Sequence, residues 1–290
     1  MAIDTDEYRI DPDKPFRLGD AATLVPPYYD SKDDYRTMLD GCVEEMDELQ
    51  EKLYSSASHA VLFIFQAMDA AGKDSTIRAV FSGVNPQGCN VSSFKQPTEL
   101  ELAHDFLWRS SLHLPRRGMI GVFNRSYYEE VLIARVHPEV LAAQRIPGAP
   151  NGGKVWQQRY RSITEFEAHL SRNGTRIVKF FLNVSKSEQG QRLLDRIDTP
   201  RKNWKFDPND LYERQFWPQY TEAYEACLNA TSTKEAPWYV IPADDKQNMR
   251  LIVSRIVLQT LKKLELAFPT VSEEQLKAMR QARDDLKETK

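Results

Sequence analysis

The chain has 290 residues, with 39 Lys and Arg against 42 Asp and Glu for a formal charge of −3, and 41% of its residues are apolar. That is a globular composition long enough for a large buried core, and its slight acidity argues against a dedicated nucleic-acid binder. The longest strongly apolar run, Ala60–Phe65, is far shorter than the ~20 residues of a membrane helix, and the opening residues carry no secretory signal.

Residues 1–30 contain four prolines and read as an arm lying on the body or partly free of it. From Ser31, the apolar positions Tyr35, Met38, Leu39, Cys42, Val43, Met46, Leu49 and Leu53 recur at helical spacing, which predicts a helix of about six turns capped by Ser31. Five strands are then predicted at Ala60–Gln66, Cys89–Phe94, Met119–Phe123, Thr175–Leu182 and Trp238–Ile241. Helices are predicted at Lys73–Ser82, Thr98–Leu112, Ser126–Val136, Lys154–Arg172, Ser185–Ile197, Pro208–Ala230 and Asp244–Leu264. Strands alternating with helices mean βαβ units, hence an α/β fold with a mostly parallel sheet covered on both faces. Irregular loops are expected at Gln144–Gly153 and Asp198–Asp207, and a charged, solvated or subunit-bridging helix from Ser272.

The sharpest motif follows the best strand and opens a helix: Gln66-Ala67-Met68-Asp69-Ala70-Ala71-Gly72-Lys73-Asp74-Ser75. In that context the backbone N–H groups of Met68, Ala70, Ala71, Gly72, Asp74 and Ser75 would cradle phosphate, with Lys73 as a bridging charge. Ala67 and Asp74 depart from GxxxxGK[ST], and the bland alternative is a plain helix start with Lys73 exposed. A carboxylate in an anion loop makes sense if Asp69 holds Mg²⁺; otherwise it merely bonds loop amides.

After the third strand stands Asn124-Arg125-Ser126-Tyr127-Tyr128-Glu129. Ligands of parallel sheets sit beyond the carboxyl ends of strands, so Arg125 could clamp a phosphate and Tyr127, Tyr128 and Glu129 could meet a base or ribose. Ordinary capping by Asn124 and Ser126 is the competing reading. A basic stretch (Arg192, Arg196, Arg201, Lys202, Lys205) reads as a lid over a polyanion or as a solvated face, and Arg116, Arg117 and Arg135 would extend its track.

The histidines lack metal-ligand spacing, and Cys42, Cys89 and Cys227 form no CxxC pair, so both sets read as structural in a cytoplasmic protein. Asn-x-Ser/Thr sequons, among them those at Asn183 and Asn229, read as chance matches.

Together, the loop from Gln66 to Asp74, Val84-Asn85-Pro86-Gln87-Gly88, Ile120 to Ser126, Arg135-Val136-His137-Pro138 and Lys202-Asn203-Trp204-Lys205-Phe206 resemble the polyphosphate kinase 2 family, over about Asp33 to Phe268. The resemblance implies a P-loop kinase-like three-layer αβα sandwich with a five-stranded sheet. Residues 31–270 would form the catalytic domain, with a helical lid near 185–215 and a helical tail at 271–290. It implies phosphoryl transfer from inorganic polyphosphate to AMP or ADP, closest to the class III branch, with Mg²⁺ or Mn²⁺. Asp69 would be the metal ligand, Lys73 and Arg125 catalytic, Asn124 near a Walker B-like position, and Arg117, Arg135, Arg192, Arg196, Lys202 and Lys205 the polyphosphate and lid cations. Adenine or guanine nucleotides and a homodimer or homotetramer complete the expectation, with no nucleic acid and no membrane. The alternatives are an ATP-dependent nucleoside monophosphate kinase and a non-catalytic nucleotide-binding module.

Overall fold

A computed structural model describes residues 3–147 and 154–288. Five strands form one sheet: β1 (Ala60–Ala67), β2 (Cys89–Ser93), β3 (Ile120–Asn124), β4 (Thr175–Asn183) and β5 (Trp238–Pro242). Their order is β2-β3-β1-β4-β5, and each neighbouring pair runs parallel. Every residue of β1 is buried, as its unbroken apolar run requires of a central strand covered on both faces.

The longer helices are α1 (Lys32–Ser56), α2 (Lys73–Val80), α3 (Lys154–Arg172), α4 (Lys186–Asp198), α5 (Trp217–Thr231), α6 (Lys246–Lys262) and α7 (Glu273–Glu288). Ser31 caps α1 by accepting from the Asp34 amide at 3.1 Å. Alternation along β4 separates the layers. Phe180 meets Phe63 and Phe65 on the α2 side, whereas Lys179 and Phe181 face α3 and α5. Helix α6 packs against α1 and α2, which completes the αβα sandwich.

Three predicted helices are broken. Thr98–Leu112 yields only Glu99–Leu102 and Trp108–Ser111, because the Asp105 carboxylate takes the Leu107 amide at 3.0 Å and starts a new turn. Pro208–Ala230 divides into Pro208–Glu213, the 3₁₀ turn Arg214–Phe216, and α5. Pro218 has no amide hydrogen to continue a helix and sits in the first turn of the next one. Ser126–Val136 becomes a 3₁₀ turn, Tyr127–Val131, and a single turn, Ile133–Val136. The Asp198–Asp207 loop contains the 3₁₀ turn Pro200–Lys205, and a short helix at Pro138–Ala143 is one the sequence reading lacked. Of the loop expected at Gln144–Gly153, residues 148–153 lie outside the described residues.

The arm lies along the β5 edge, where Ile10 donates to the Trp238 carbonyl at 2.9 Å. Three asparagine side chains hold it down: Asn183 on Ala21 and Ala22, Asn229 on Phe16, and Asn248 on Val25, Pro26 and Tyr28. The sequon asparagines Asn183 and Asn229 are thus engaged in packing. Helix α7 starts where Ser272 and Gln275 exchange hydrogen bonds, and it is exposed throughout.

Candidate active site

Strands β1 and β3 are neighbours with Phe65 opposite Asn124, and the helices that follow them cover opposite faces of the sheet. A crevice therefore opens beyond their carboxyl ends. The loop after β1 turns through Ala70 at φ 59° and Gly72 at φ 108°. Glycine serves at position 72 because an L side chain would be strained there and its Cβ would lie 3.4 Å from Met249.

Lys73, the first residue of α2, is buried and donates to the Ala67 carbonyl at 2.8 Å. Burial, helped by the neighbouring Arg125 charge, pushes the ammonium down to about 8. Asp69 lies opposite. Burial works to raise its carboxyl, but Arg125 and Lys73 outweigh that and hold it below the usual carboxylate range. Asp74 accepts from the Asn124 amide at 2.7 Å, and the Ser75 hydroxyl donates to Gly72 at 3.0 Å.

Arg125 emerges from β3 at φ 64°, a left-handed conformation unusual for a long side chain, with its amide on the Phe65 carbonyl at 3.0 Å. Its guanidinium bridges Asp69 at 2.5 Å and Glu129 at 3.3 Å, and Glu129, then Asp69, raise its proton affinity. Glu129 also accepts from Gln66 at 3.1 Å.

Arg125 borders three cavities. One of ≈ 560 Å³ is lined by Lys73, Arg192, Arg196, Lys202 and Lys205 of the expected set, joined by Lys95, Lys246 and Arg250, against the carboxylates Asp69, Asp74 and Asp195. A second, ≈ 650 Å³, is largely apolar, with Phe94, Leu102, Ile133, Val140 and Tyr212 in its wall. A small one of ≈ 130 Å³ lies between, beside Asp69 and under Trp217 and Tyr224. Lys95, Lys246 and Arg250 were missed from sequence. Two of them follow the ends of β2 and β5, so the strand-end rule applied to every strand would have found them.

Other expectations change. Tyr127 and Tyr128 are 0% exposed and donate to Glu167 at 2.8 and 2.7 Å, so they cannot touch a nucleotide. Arg117 stands before β3, at the opposite end of the sheet, on the Asn173 carbonyl. Arg135 donates to the Tyr160 hydroxyl at 2.9 Å and lines none of the three cavities. Arg192 is a buried staple rather than a free lid cation: it donates to Ala71 and Ala243 at 2.6 Å each and to Glu188 at 2.7 Å. Arg196 pairs with Asp210 at 2.7 Å, Lys202 with Asp195, and Lys205 lies over the Trp204 ring at 5.0 Å.

Among the described residues no group of three or more His, Cys, Asp or Glu side chains could hold a metal alone. The donor set nevertheless fits Mg²⁺, which is commonly bound by one or two carboxylates and shared with substrate phosphates. Asp69 is a carboxylate in a cavity otherwise rich in cations, so a phosphate-bound cation has a natural partner there.

A strand–loop–helix phosphate cradle beside a cation-lined crevice defines a phosphoryl-transfer protein of the P-loop kinase type. The sequence pattern of the family Polyphosphate kinase 2 matches residues 29–269. The chain is 54% identical over 287 residues to an ADP-polyphosphate phosphotransferase of Rhodopseudomonas palustris, with 99% of both chains covered. It is 51% identical to an AMP/ADP-polyphosphate phosphotransferase of Meiothermus ruber over 224 residues, covering 77% of this chain and 80% of the relative. The crystal structure of polyphosphate kinase 2 from Arthrobacter aurescens superposes with a TM-score of 0.87 at 37% identity, with 96% of each chain covered. The chain belongs to the polyphosphate kinase 2 family.

Proposed function

We propose that this protein transfers the terminal phosphoryl group of inorganic polyphosphate to ADP or AMP, with Mg²⁺ that Asp69 would help to hold. The observation that carries the reading is the position of Arg125 between a cationic cavity that opens on Asp69 and the phosphate loop and a more apolar one, with the small cavity beside Asp69 between them. A polyanion suits the first. A base suits the second, which leaves the nucleotide's phosphate beside Arg125.

In the transfer, a terminal phosphate oxygen of the nucleotide attacks the end phosphorus of polyphosphate. The bond from that phosphorus to the bridging oxygen breaks, and the chain shortened by one unit leaves as an oxyanion. Both nucleophile and leaving group are anionic at neutral pH, so no general base is needed and the site's work is alignment and charge neutralisation. Bound Mg²⁺ supplies charge neutralisation at the phosphates. Lys73, released from the Ala67 carbonyl, reaches the transferring group. Arg125 exchanges Asp69 for a phosphate oxygen, and Lys95, Lys202, Lys205, Lys246 and Arg250 hold the rest of the chain.

Guanine nucleotides would enter the same apolar cavity. A cytoplasmic location is supported by the free thiols of Cys42, Cys89 and Cys227, and among the described residues no helix is long and apolar enough to cross a membrane. Assembly as a homodimer or homotetramer is supported by the exposed apolar residues Leu276, Met279 and Leu286 of α7.

Incubation with Mg²⁺, polyphosphate and ADP or AMP, with ATP measured, tests the function. ATP formation that disappears with EDTA and in Lys73→Ala is the expected result. ATP-driven AMP phosphorylation indifferent to polyphosphate would refute it.

A further inference from the structure

Lys179 lies in the middle of β4, opposite Ile64 of β1 and Trp238 of β5, and its side chain is 0% exposed. Its ammonium spends all three protons inside the protein: on Glu167 at 2.6 Å, on the Thr231 carbonyl at 2.7 Å and on the Tyr128 hydroxyl at 3.0 Å. Glu167, 1% exposed on α3, accepts both tyrosine hydroxyls of the 127–131 turn on its other oxygen. One ion pair therefore joins β4, α3, the turn that follows Arg125, and the last residue of α5.

Both latter elements are walls of the crevice. The turn presents Glu129, and Arg125 stands just before it; α5 presents Trp217, Tyr220 and Tyr224 beside Asp69. The far side of the turn is fixed too, since Glu130 lies 3.6 Å from each of the buried Arg109 and Arg159 guanidinium groups. A buried ion pair is a poor way to gain stability, because desolvation offsets the attraction and apolar residues of similar volume often serve as well. What it does supply is direction: each partner accepts only a few geometries.

We propose that Lys179 and Glu167 are positioning residues which, through Tyr127 and Tyr128, hold the 127–131 turn so that Arg125 meets the transferring phosphate. The inference rests on the reading of Arg125 as a phosphate clamp. Displacement of a clamp by about an ångström lowers turnover strongly while leaving the remainder of the polyphosphate contacts intact.

The test uses the full chain with Mg²⁺, polyphosphate and ADP. Tyr128→Phe keeps the ring and the ion pair and removes only the hydroxyl. Its kcat is expected to fall about tenfold with the KM for polyphosphate changed less than about twofold. In an Arg125→Lys background the same substitution is expected to change kcat by less than about twofold, because the clamp it serves is already gone. Equal fold losses in the two backgrounds, or a KM that rises in step with the loss, would overturn the proposal. Lys179→Met combined with Glu167→Gln removes both charges. Its Tm is expected within a few degrees of the unaltered protein with kcat still low, and recovery of kcat alongside Tm would mean a purely structural pair. If that variant does not fold, the Tyr128→Phe comparison decides alone. An unaltered protein inactive with polyphosphate would instead refute the functional reading, and this inference with it.

Discussion

The Arg125 guanidinium sits 2.5 Å from the Asp69 carboxylate, and each is the group the other would have to release for phosphates to bind. The pair keeps two opposite charges compensated in a crevice where cationic side chains outnumber carboxylates. Glu129 lies 3.3 Å from the same guanidinium and would remain its partner if Asp69 turned to a phosphate-bound cation.

Asp69→Asn tests this exchange. Loss of the carboxylate is expected to lower kcat by at least about 100-fold, because the group that would hold the charge-neutralising Mg²⁺ is gone. Polyphosphate binding without metal should tighten, since an anion has left the cavity and Arg125 is freed. Coupled ATP assays and calorimetric titration measure the two effects, and weaker metal-free binding would contradict the exchange.

Lys73 sets a pH limit. Its ammonium, at about 8, loses its proton more than two units below the ordinary lysine value of 10.5. In the free protein kcat/KM for polyphosphate should therefore decline as pH rises through about 8, and polyphosphate binding near pH 9 should take up a proton. The stability effect has the opposite sense. The unfolded chain binds more protons than the folded one between about 8 and 10.5, so Lys73 makes folding easier as pH rises across that window. Lys73→Met should accordingly raise stability at pH 7 by about 1–2 kcal/mol while abolishing turnover. Thermal melts from pH 7 to 10 and initial rates over the same range check both.

Arg192 and Arg196, four residues apart on α4, should respond differently to substitution. Arg192→Ala strips hydrogen bonds from the Ala71 and Ala243 carbonyls and is expected to cost about 2–4 kcal/mol, read as a lower Tm. Arg196→Glu places a second carboxylate against Asp210, and should raise the KM for polyphosphate more than that for ADP with a smaller change in Tm. Equal effects on the two KM values would end the assignment of Arg196 to the polyphosphate side.

Asn248→Ala should loosen the arm. Its amide group holds Tyr28, Val25 and Pro26, and losing these bonds from a residue only 1% exposed is expected to destabilise by about 2–3 kcal/mol. Limited proteolysis within residues 15–27 at a rate unchanged from the unaltered protein would contradict this.

The site was legible where chemistry is local. The loop after β1, the residues after β3 and the basic stretch from Arg192 to Lys205 stand out because strand-end position and charge are properties of a few consecutive residues. The tyrosines 127 and 128 were misread for the same reason: beside Arg125 in sequence, they point into the core because the tight 3₁₀ turn sends neighbours to different sides. Arg192 looked like part of a free basic run, yet carbonyls from two distant segments consume it.

Alternating apolar runs and helical stretches were enough to predict five strands in a mostly parallel sheet covered on both faces, since period and burial are written along the chain. Strand order, the Lys179 pair and the union of Lys95, Lys246 and Arg250 with the phosphate loop came only with the folded molecule. Those depend on contacts between segments up to 180 residues apart, and no short-range pattern encodes which charged side chain finds a distant partner and which is left facing a crevice.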